Sequence, residues 1–258
     1  MVEQASPSVI DRAFAILDAC AQSDRAVSLS EIAALTGLPK ATLHRMCWKL
    51  DSLGALESHG GGFRIGAKLL ALGAINPEVQ RLRTQSMPFL YELNSETGLG
   101  GSLAILHGDG ALLLDEVYSS KERPIRMVGR VLPLHATAIG KALIAGEPAA
   151  RRRAMIECLE LTRFTKNTVT DPVALDQQLC VAAESRVTYA RNEYRLGSVG
   201  VAAPIISSGA TVGAIGLHGV RKASEAPSYA YAVARTAEGI SMSLHNLVVR
   251  QVHPAARP

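Results

Sequence analysis

The chain has 258 residues, 48% of them hydrophobic and 19% charged, with a net charge of +4. That length supports one large core or two modest ones, and we read two domains; the charge is too mild to name a polyanionic partner, so charge placement has to decide. A polar opening stretch without an apolar run, and hydrophobic segments broken by charges well short of a bilayer's width, predict a cytoplasmic protein with no membrane partner. Cys20, Cys47, Cys158 and Cys180 lie far apart with no C-x-x-C pair, which speaks against a zinc site or a disulfide framework and predicts reduced, mostly buried thiols.

Ser8 followed by Asp11 marks the start of a first helix, whose apolar Ile10, Phe14, Leu17 and Ala21 predict one buried stripe. Ser28 and Glu31 have capping-box spacing and begin a short second helix that Gly37 stops. Pro39 suits the first position of a third helix, "PKATLHRMCWKL", because its missing amide needs no partner there. A tight turn containing Gly37 then joins two helices in the manner of a helix-turn-helix. Leu43, Met46, Cys47 and Leu50 fall on one face, for the core. At about 100° per residue the opposite face carries Ala41, Arg45 and Trp48, flanked by Thr42, His44 and Lys49. After Gly54, two short segments around a triple glycine predict a hairpin, or wing.

Three helices and a wing make a winged helix-turn-helix, whose third helix enters the major groove of double-stranded DNA. The candidate DNA-binding residues are Lys40, Ala41, Thr42, His44, Arg45 and Lys49 on the helix and Arg64 on the wing. Residues 1–75 hold seven basic and seven acidic residues, so the domain is not basic overall. The signal is the clustering of Lys40, Arg45 and Lys49 on one helix without an acidic residue before Asp51. Lys40 or Lys49 alone reads equally as a solvated helix face, and Trp48 either as a DNA-facing indole or as a partly buried packing residue.

The stretches "LSEIAALTGLPKATLHRMCWKLDSLGALE" and "FRIGAKLLALG" resemble the DNA-binding domain of the IclR family of bacterial transcription regulators. "LPLHATAIGKALIA" and "GSVGVAAPI" further along resemble that family's two effector-domain signatures, so the likeness runs from about Ser8 to Val249. The resemblance implies an α+β chain. It consists of a winged helix-turn-helix (residues 8–70), a linker helix (71–88) and a GAF-like effector-binding domain with an antiparallel sheet (89–252). It implies a homodimer or homotetramer on operator DNA, a repressor of catabolic genes, and a small organic effector. No cofactor, metal or catalytic residue is implied. The first helix and the linker helix are the expected dimer contacts.

The second half, read from its own residues, agrees. Residues 78–96 have a helical pattern that Pro88 should break, ending the linker helix there. Two hairpins are expected, around His107-Gly108-Asp109-Gly110 and around Ser208-Gly209. Helices are expected at 136–145, 149–159 and 172–186 and from Ser228 onward, the last with Val233, Ala237, Ile240, Leu244 and Leu247 on one face. Such hairpins with helices covering one face are an α+β arrangement. His44, His59, His107, His135, His218, His245 and His253 form no H-x-x-x-H or H-E-x-x-H set. There is no G-x-S-x-G elbow, and the glycines at Gly98–Gly101 lack the context of a nucleotide loop. The triple arginine Arg151–Arg153 reads as a solvated helix face or, alternatively, an oligomer or phosphate contact. An enzyme carrying an accessory helix-turn-helix domain is the rival reading.

The effector candidates are His135, Ala136, Thr137, Ala138 and Gly140, where small residues at a helix start let a ligand approach free amides, which favour a carboxylate or another electron-rich group. The alternative is a helix start with small residues for close packing. By the family resemblance this stretch faces Glu193, Gly200, Gly216 and His218 across the effector pocket. Here the chain departs from the family's frequent pattern: Gly200 replaces a common cysteine, Gly216 and His218 stand where small hydroxyl residues often occur, and Ala190 replaces an acidic residue. Glu193 either faces the cavity or forms a surface ion pair. With Leu132, Ile139, Val201 and Ile215 as expected apolar walls, the space suits a monoaromatic acid or amide.

Overall fold

The computed structural model describes residues 7–119 and 127–252, with side chains up to 245; the expectations for Leu247 and His253 lie outside these. The backbone divides into two compact units, residues 1–80 and 81–258.

In the first unit, α1 (Val9–Ala21) and α2 (Leu29–Thr36) both begin with complete capping boxes, Ser8 with Asp11 and Ser28 with Glu31. Each box satisfies helix amides that have no partner within the helix. Gly37 ends α2 in the left-handed region at φ 67°, and α3 (Lys40–Ser52) starts immediately after Pro39. β1 (Leu56–His59) and β2 (Gly62–Ile65) form an antiparallel hairpin whose turn glycines, Gly60 and Gly61, both have positive φ. Gly62 serves a different need: a Cβ there would stand 2.7 Å from the Val27 carbonyl oxygen, on the segment that bridges to Phe63. Ile16, Ile32, Leu43, Cys47, Leu56 and Phe63 form the core.

The expected stripe on α1 is corrected. Ile16, Ala19 and Cys20 are buried, whereas Ile10 and Phe14 are 69% and 62% exposed. The helix carries apolar residues on two faces, and the face with small Ala19 and Cys20 packs in one cluster with Leu43 and Cys47. Burial pushes both thiols up, Cys20 and Cys47 each to about 11. All four cysteines are free; Cys158 is exposed and Cys180 half-buried, so burial holds for two of the four.

A short α4 (Ala67–Gly73) precedes α5 (Pro77–Thr97), and α5 runs through Pro88 without interruption. The expected helix over 71–88 is therefore broken near Ala74–Asn76 and does not end at the proline. Pro88 removes one bond to the Thr84 carbonyl, and burial of Leu82, Leu90 and Leu93 on the same helix outweighs that loss.

The second unit is built on a six-stranded antiparallel sheet of order β5-β4-β3-β8-β7-β6. Its strands are β3 (Gly100–His107), β4 (Gly110–Val117), β5 (Val131–Pro133), β6 (Thr188–Arg191), β7 (Val199–Ser207) and β8 (Ala210–His218). Alternate residues go to opposite faces. Leu103, Val201, Ala203, Ile205, Ile215 and Leu217 pack against α5 and α9 (Ala230–Val252). Ala104, Ala202 and Ala214 pack against α6 (Ala138–Ala145) and its neighbours α7 (Ala149–Cys158) and α8 (Pro172–Ser185). Helices thus cover both faces, not one, and Val201 and Ile215, both expected as cavity walls, have their side chains on the face away from α6.

The α6 face is made of small residues, and α6 sits so close that all eight of its residues are buried. Thr188 Oγ1 donates to the Ala138 carbonyl at 2.7 Å. Gly140 is required by this packing: a Cβ would stand 2.6 Å from Leu134 Cα and 2.7 and 2.8 Å from the carbonyl oxygens of Leu134 and Pro133. Gly140→Ala removes a helix-interior glycine, a gain of about 1 kcal/mol at most. It also drives a methyl group into backbone that cannot rotate away, and overpacking of that kind costs roughly 1–3 kcal/mol. We expect net destabilisation of the second unit in urea denaturation; an increase in its unfolding midpoint would show that the Gly140 contact is not tight.

Candidate nucleic-acid face and ligand cavity

On α3, Lys40, Ala41, His44, Arg45 and Lys49 are exposed and Thr42 is half-buried, so the expected DNA-facing residues do share the outer side of the helix. Trp48 is 46% exposed, and its geometry decides between the two readings of the indole. Its Nε1–H donates to His44 Nε2 at 3.1 Å, and its ring meets Phe63 of β2 edge-on, with centroids 5.5 Å apart. Trp48 is a packing residue that ties α3 to the wing and orients His44. The Ser58 amide donates to Asp51 at 2.7 Å and makes a second tie.

Arg64 projects from the wing but is engaged: its guanidinium bonds the Glu57 carboxylate opposite, at 3.0 and 3.1 Å. The Ala67 amide, and then Arg64, hold the Glu57 carboxyl below its usual range. An ion pair this exposed is screened by solvent and weak, so a phosphate can displace Glu57 at small cost.

In the second unit a cavity of about 820 Å³ opens between the small-residue sheet face, the N-terminus of α6 and the loop after β6. The buried part of its wall is formed by Ser102, Ala136, Ala138, Ile139 and Gly216. Gly200, Leu132 and His218 also line it, and Thr137 caps α6 beside it. Thr137 Oγ1 accepts from the Gly140 amide at 3.1 Å and donates to the Pro133 carbonyl at 2.8 Å. That leaves the Ala138 and Ile139 amides at the helix end, where the dipole is positive. The glycines do more than widen the space: a Cβ on Gly200 would stand 3.2 Å from Ala138 Cβ, and one on Gly216 3.6 Å from Ile139 Cβ. They let α6 approach the sheet.

Three expected effector residues do not line the cavity. His135 is 2% exposed; its Nε2 hydrogen-bonds the Thr162 carbonyl at 2.9 Å and its ring stacks on Phe164 at 5.7 Å. Gly140 faces Leu134, as described. Glu193 accepts from Lys141 Nζ at 2.5 Å, with side chains 9% and 3% exposed respectively, so it is neither a cavity wall nor a surface ion pair but half of a buried one. Lys141 also donates to Gln178 at 3.2 Å. Burial lowers the Lys141 pKa and the charge of Glu193 opposes that shift.

The sequence reading missed Glu116, Tyr118, Met127, Arg130 and Tyr194–Leu196, which form the exposed part of the cavity together with Gly197 and Ser198 of the signature "GSVGVAAPI". They lie at strand ends and in connections without periodicity, and only Tyr194–Leu196 had a neighbouring signature that pointed there. Arg151–Arg153 is not simply a solvated face: Arg152 is 5% exposed and bonds Asp176 at 2.9 Å, while Arg151 and Arg153 are exposed and pair with Glu147 and Asp176. Among the described residues no group of three or more His, Cys, Asp or Glu is placed to hold a metal. No helix of the described residues is long and apolar enough to cross a membrane.

Removing one member of a buried ion pair strands the other. Lys141→Met should cost about 3–5 kcal/mol, and the double variant Lys141→Met with Glu193→Leu should recover much of it. Chemical denaturation of the three proteins checks this; a double variant as unstable as the single one would mean that the charges are not the source of the loss.

The comparisons with known proteins agree with this geometry. Residues 9–60 match the IclR helix-turn-helix domain and residues 78–242 the bacterial transcriptional regulator IclR C-terminal domain. The glycerol operon regulatory protein of Streptomyces coelicolor is 31% identical over 246 residues, covering 91% of this chain and 95% of that protein. The transcriptional regulator XynR of Escherichia coli is 31% identical over 199 residues, 76% of this chain and 79% of that one. An IclR homologue from Microbacterium hydrocarbonoxydans, crystallised with 4-hydroxybenzoate, superposes with a TM-score of 0.78 at 26% identity, covering 92% of this chain and 99% of that one. These relatives are regulators, which removes the rival reading of an enzyme. With two capped helices and a wing in one unit and a cavity against α6 in the other, the chain belongs to the IclR family of DNA-binding bacterial transcriptional regulators.

Proposed function

We propose that the protein is a cytoplasmic repressor of catabolic genes whose operator affinity changes when a monoaromatic acid or amide enters the cavity beside α6. The observation that carries this is the cavity itself. It is of a size that small-molecule sites commonly have, with apolar Leu113, Leu132 and Ile139 for a ring and the α6 amides and Ser102 for an electron-rich oxygen. The 4-hydroxybenzoate held by the Microbacterium hydrocarbonoxydans homologue has the size and shape that such walls accept.

On the DNA side, Thr42, Arg45 and Lys40 stand toward the start of α3, where base edges are usually read, and Lys49 and Arg64 suit phosphates. A palindromic operator requires two copies, and Val9, Ile10 and Phe14, 62–69% exposed on α1, supply an apolar face for a second chain. We therefore also propose a homodimer or homotetramer, with the DNA-binding domain in residues 8–70 and the effector-binding domain in residues 89–252.

Arg45→Ala should cost roughly 1–3 kcal/mol of operator binding and blur sequence preference, while Lys49→Ala should weaken all sequences alike. Gel shifts on the intergenic DNA upstream of the protein's own gene read both effects; wild-type affinity and selectivity in Arg45→Ala would remove Arg45 from base readout. For the effector, Gly200→Leu directs a side chain toward Ala138 and should abolish the thermal stabilisation given by monoaromatic acids. Stabilisation by two- or three-carbon acids alone would contradict the aromatic reading.

A further inference from the structure

The cavity lining is polarised between its buried and its exposed residues. Its buried part offers neutral hydrogen-bonding groups, the Ser102 hydroxyl and the α6 amides, and no full positive charge. The one cation on α6, Lys141, does not line the cavity and is already neutralised by Glu193. The exposed rim carries two guanidiniums, Arg130 before β5 and Arg195 in the loop after β6. Among the described residues neither is in an ion pair, a state shared by Arg186, Arg191 and Arg221 of the same unit, while Arg83, Arg151, Arg152, Arg153 and Arg235 each hold a carboxylate; what sets Arg130 and Arg195 apart is that they line the cavity. Glu116 is the one acid in the lining, and its Oε2 already accepts from the Tyr118 hydroxyl and the Met127 amide, both at 2.9 Å.

We infer that Arg130 and Arg195 are specificity-determining residues of the effector site. They hold the carboxylate of an organic acid at the mouth, with its uncharged hydrogen-bonding substituent directed inward to Ser102 and α6. A carboxylate against the buried part would lose its water and gain only the helix dipole, worth about half a unit charge. At the rim it keeps part of its hydration and meets guanidiniums whose fork matches its two oxygens. The loop carrying Arg195 is built to hold a fixed shape. Asn192, in the left-handed region at φ 60°, donates its amide to the Ser198 carbonyl at 2.8 Å and accepts from the Gly197 amide at 2.7 Å. The Glu193 carbonyl accepts from Thr168 Oγ1 at 2.6 Å, and Tyr194 rests edge-on against Phe164 at 5.1 Å. The loop base is fixed while Arg195 and Leu196 at its tip are exposed over the cavity.

This inference rests on the cavity being the effector site, and acid–amide pairs separate the two claims. Isothermal titration of the full-length protein uses 4-hydroxybenzoate against 4-hydroxybenzamide and cyclohexanecarboxylate against its amide. Wild type, Arg130→Met, Arg195→Met and the exposed, off-site control Arg221→Met are compared, with unliganded operator binding as the check of integrity. We expect each rim variant to bind the acid about tenfold more weakly and the matching amide within about twofold, with the control unchanged. An acid-to-amide ratio that both rim variants leave untouched, or tighter binding of the amides by wild type, would overturn the arginine assignment and leave the effector site standing. Acid binding confined to the cyclohexane pair but lost in Arg195→Met would keep the arginines and overturn the aromatic reading. No binding by any pair would overturn both.

Discussion

A helix buried along its whole length, such as α6, has to meet a sheet of small side chains and can bring no uncompensated charge with it. Most of the second unit follows from those two demands. Ala104, Ala202, Ala214, Gly200 and Gly216 make the sheet face low, and Gly140 lets the helix close on Leu134. Lys141 is the exception in an otherwise apolar helix, and its burial holds only because Glu193 and Gln178 are in reach. The same closeness leaves a cavity at the N-terminal end of α6, where the first turn has amides without helical partners. The cavity and the buried ion pair are two consequences of one packing constraint.

Glu193 also joins that packing to the cavity rim. Its carboxylate is held by Lys141 and its carbonyl by Thr168, and the residues that follow it, Tyr194 to Ser198, are the exposed lip. A ligand resting on both α6 and the lip would touch both ends of this connection, a physical route by which occupancy can bias the unit between two arrangements.

The DNA-binding unit solves a smaller problem with similar economy. A core of nine buried residues needs its wing fixed from outside, and Trp48 does so by covering Phe63 while spending its N–H on His44. An indole that looked free to meet DNA is committed to the fold. The unit leaves the second apolar stripe of α1 to solvent in a single copy.

Features that depend on neighbours along the chain were legible in the order of the amino acids. The Ser8 cap, the Ser28 capping box, the Gly37 stop, the wing glycines, the two hairpins of the second unit and the core face of α3 all use contacts within a few residues, and each leaves a local signature. The α6 start was legible for the same reason. Long-range packing selects which of two equivalent patterns prevails and which distant groups meet. Period alone cannot choose between the Ile10/Phe14 and Ile16/Cys20 faces of α1, since both fit a helix. Pro88 signals a break that only burial of Leu82, Leu90 and Leu93 outweighs. Glu193 lies 52 residues from Lys141, and Arg130 and Arg195 come from separate connections, so no spacing rule could bring them to one place. Their arrangement is set by the sheet order, which is fixed by packing across the whole unit rather than by any segment of the chain.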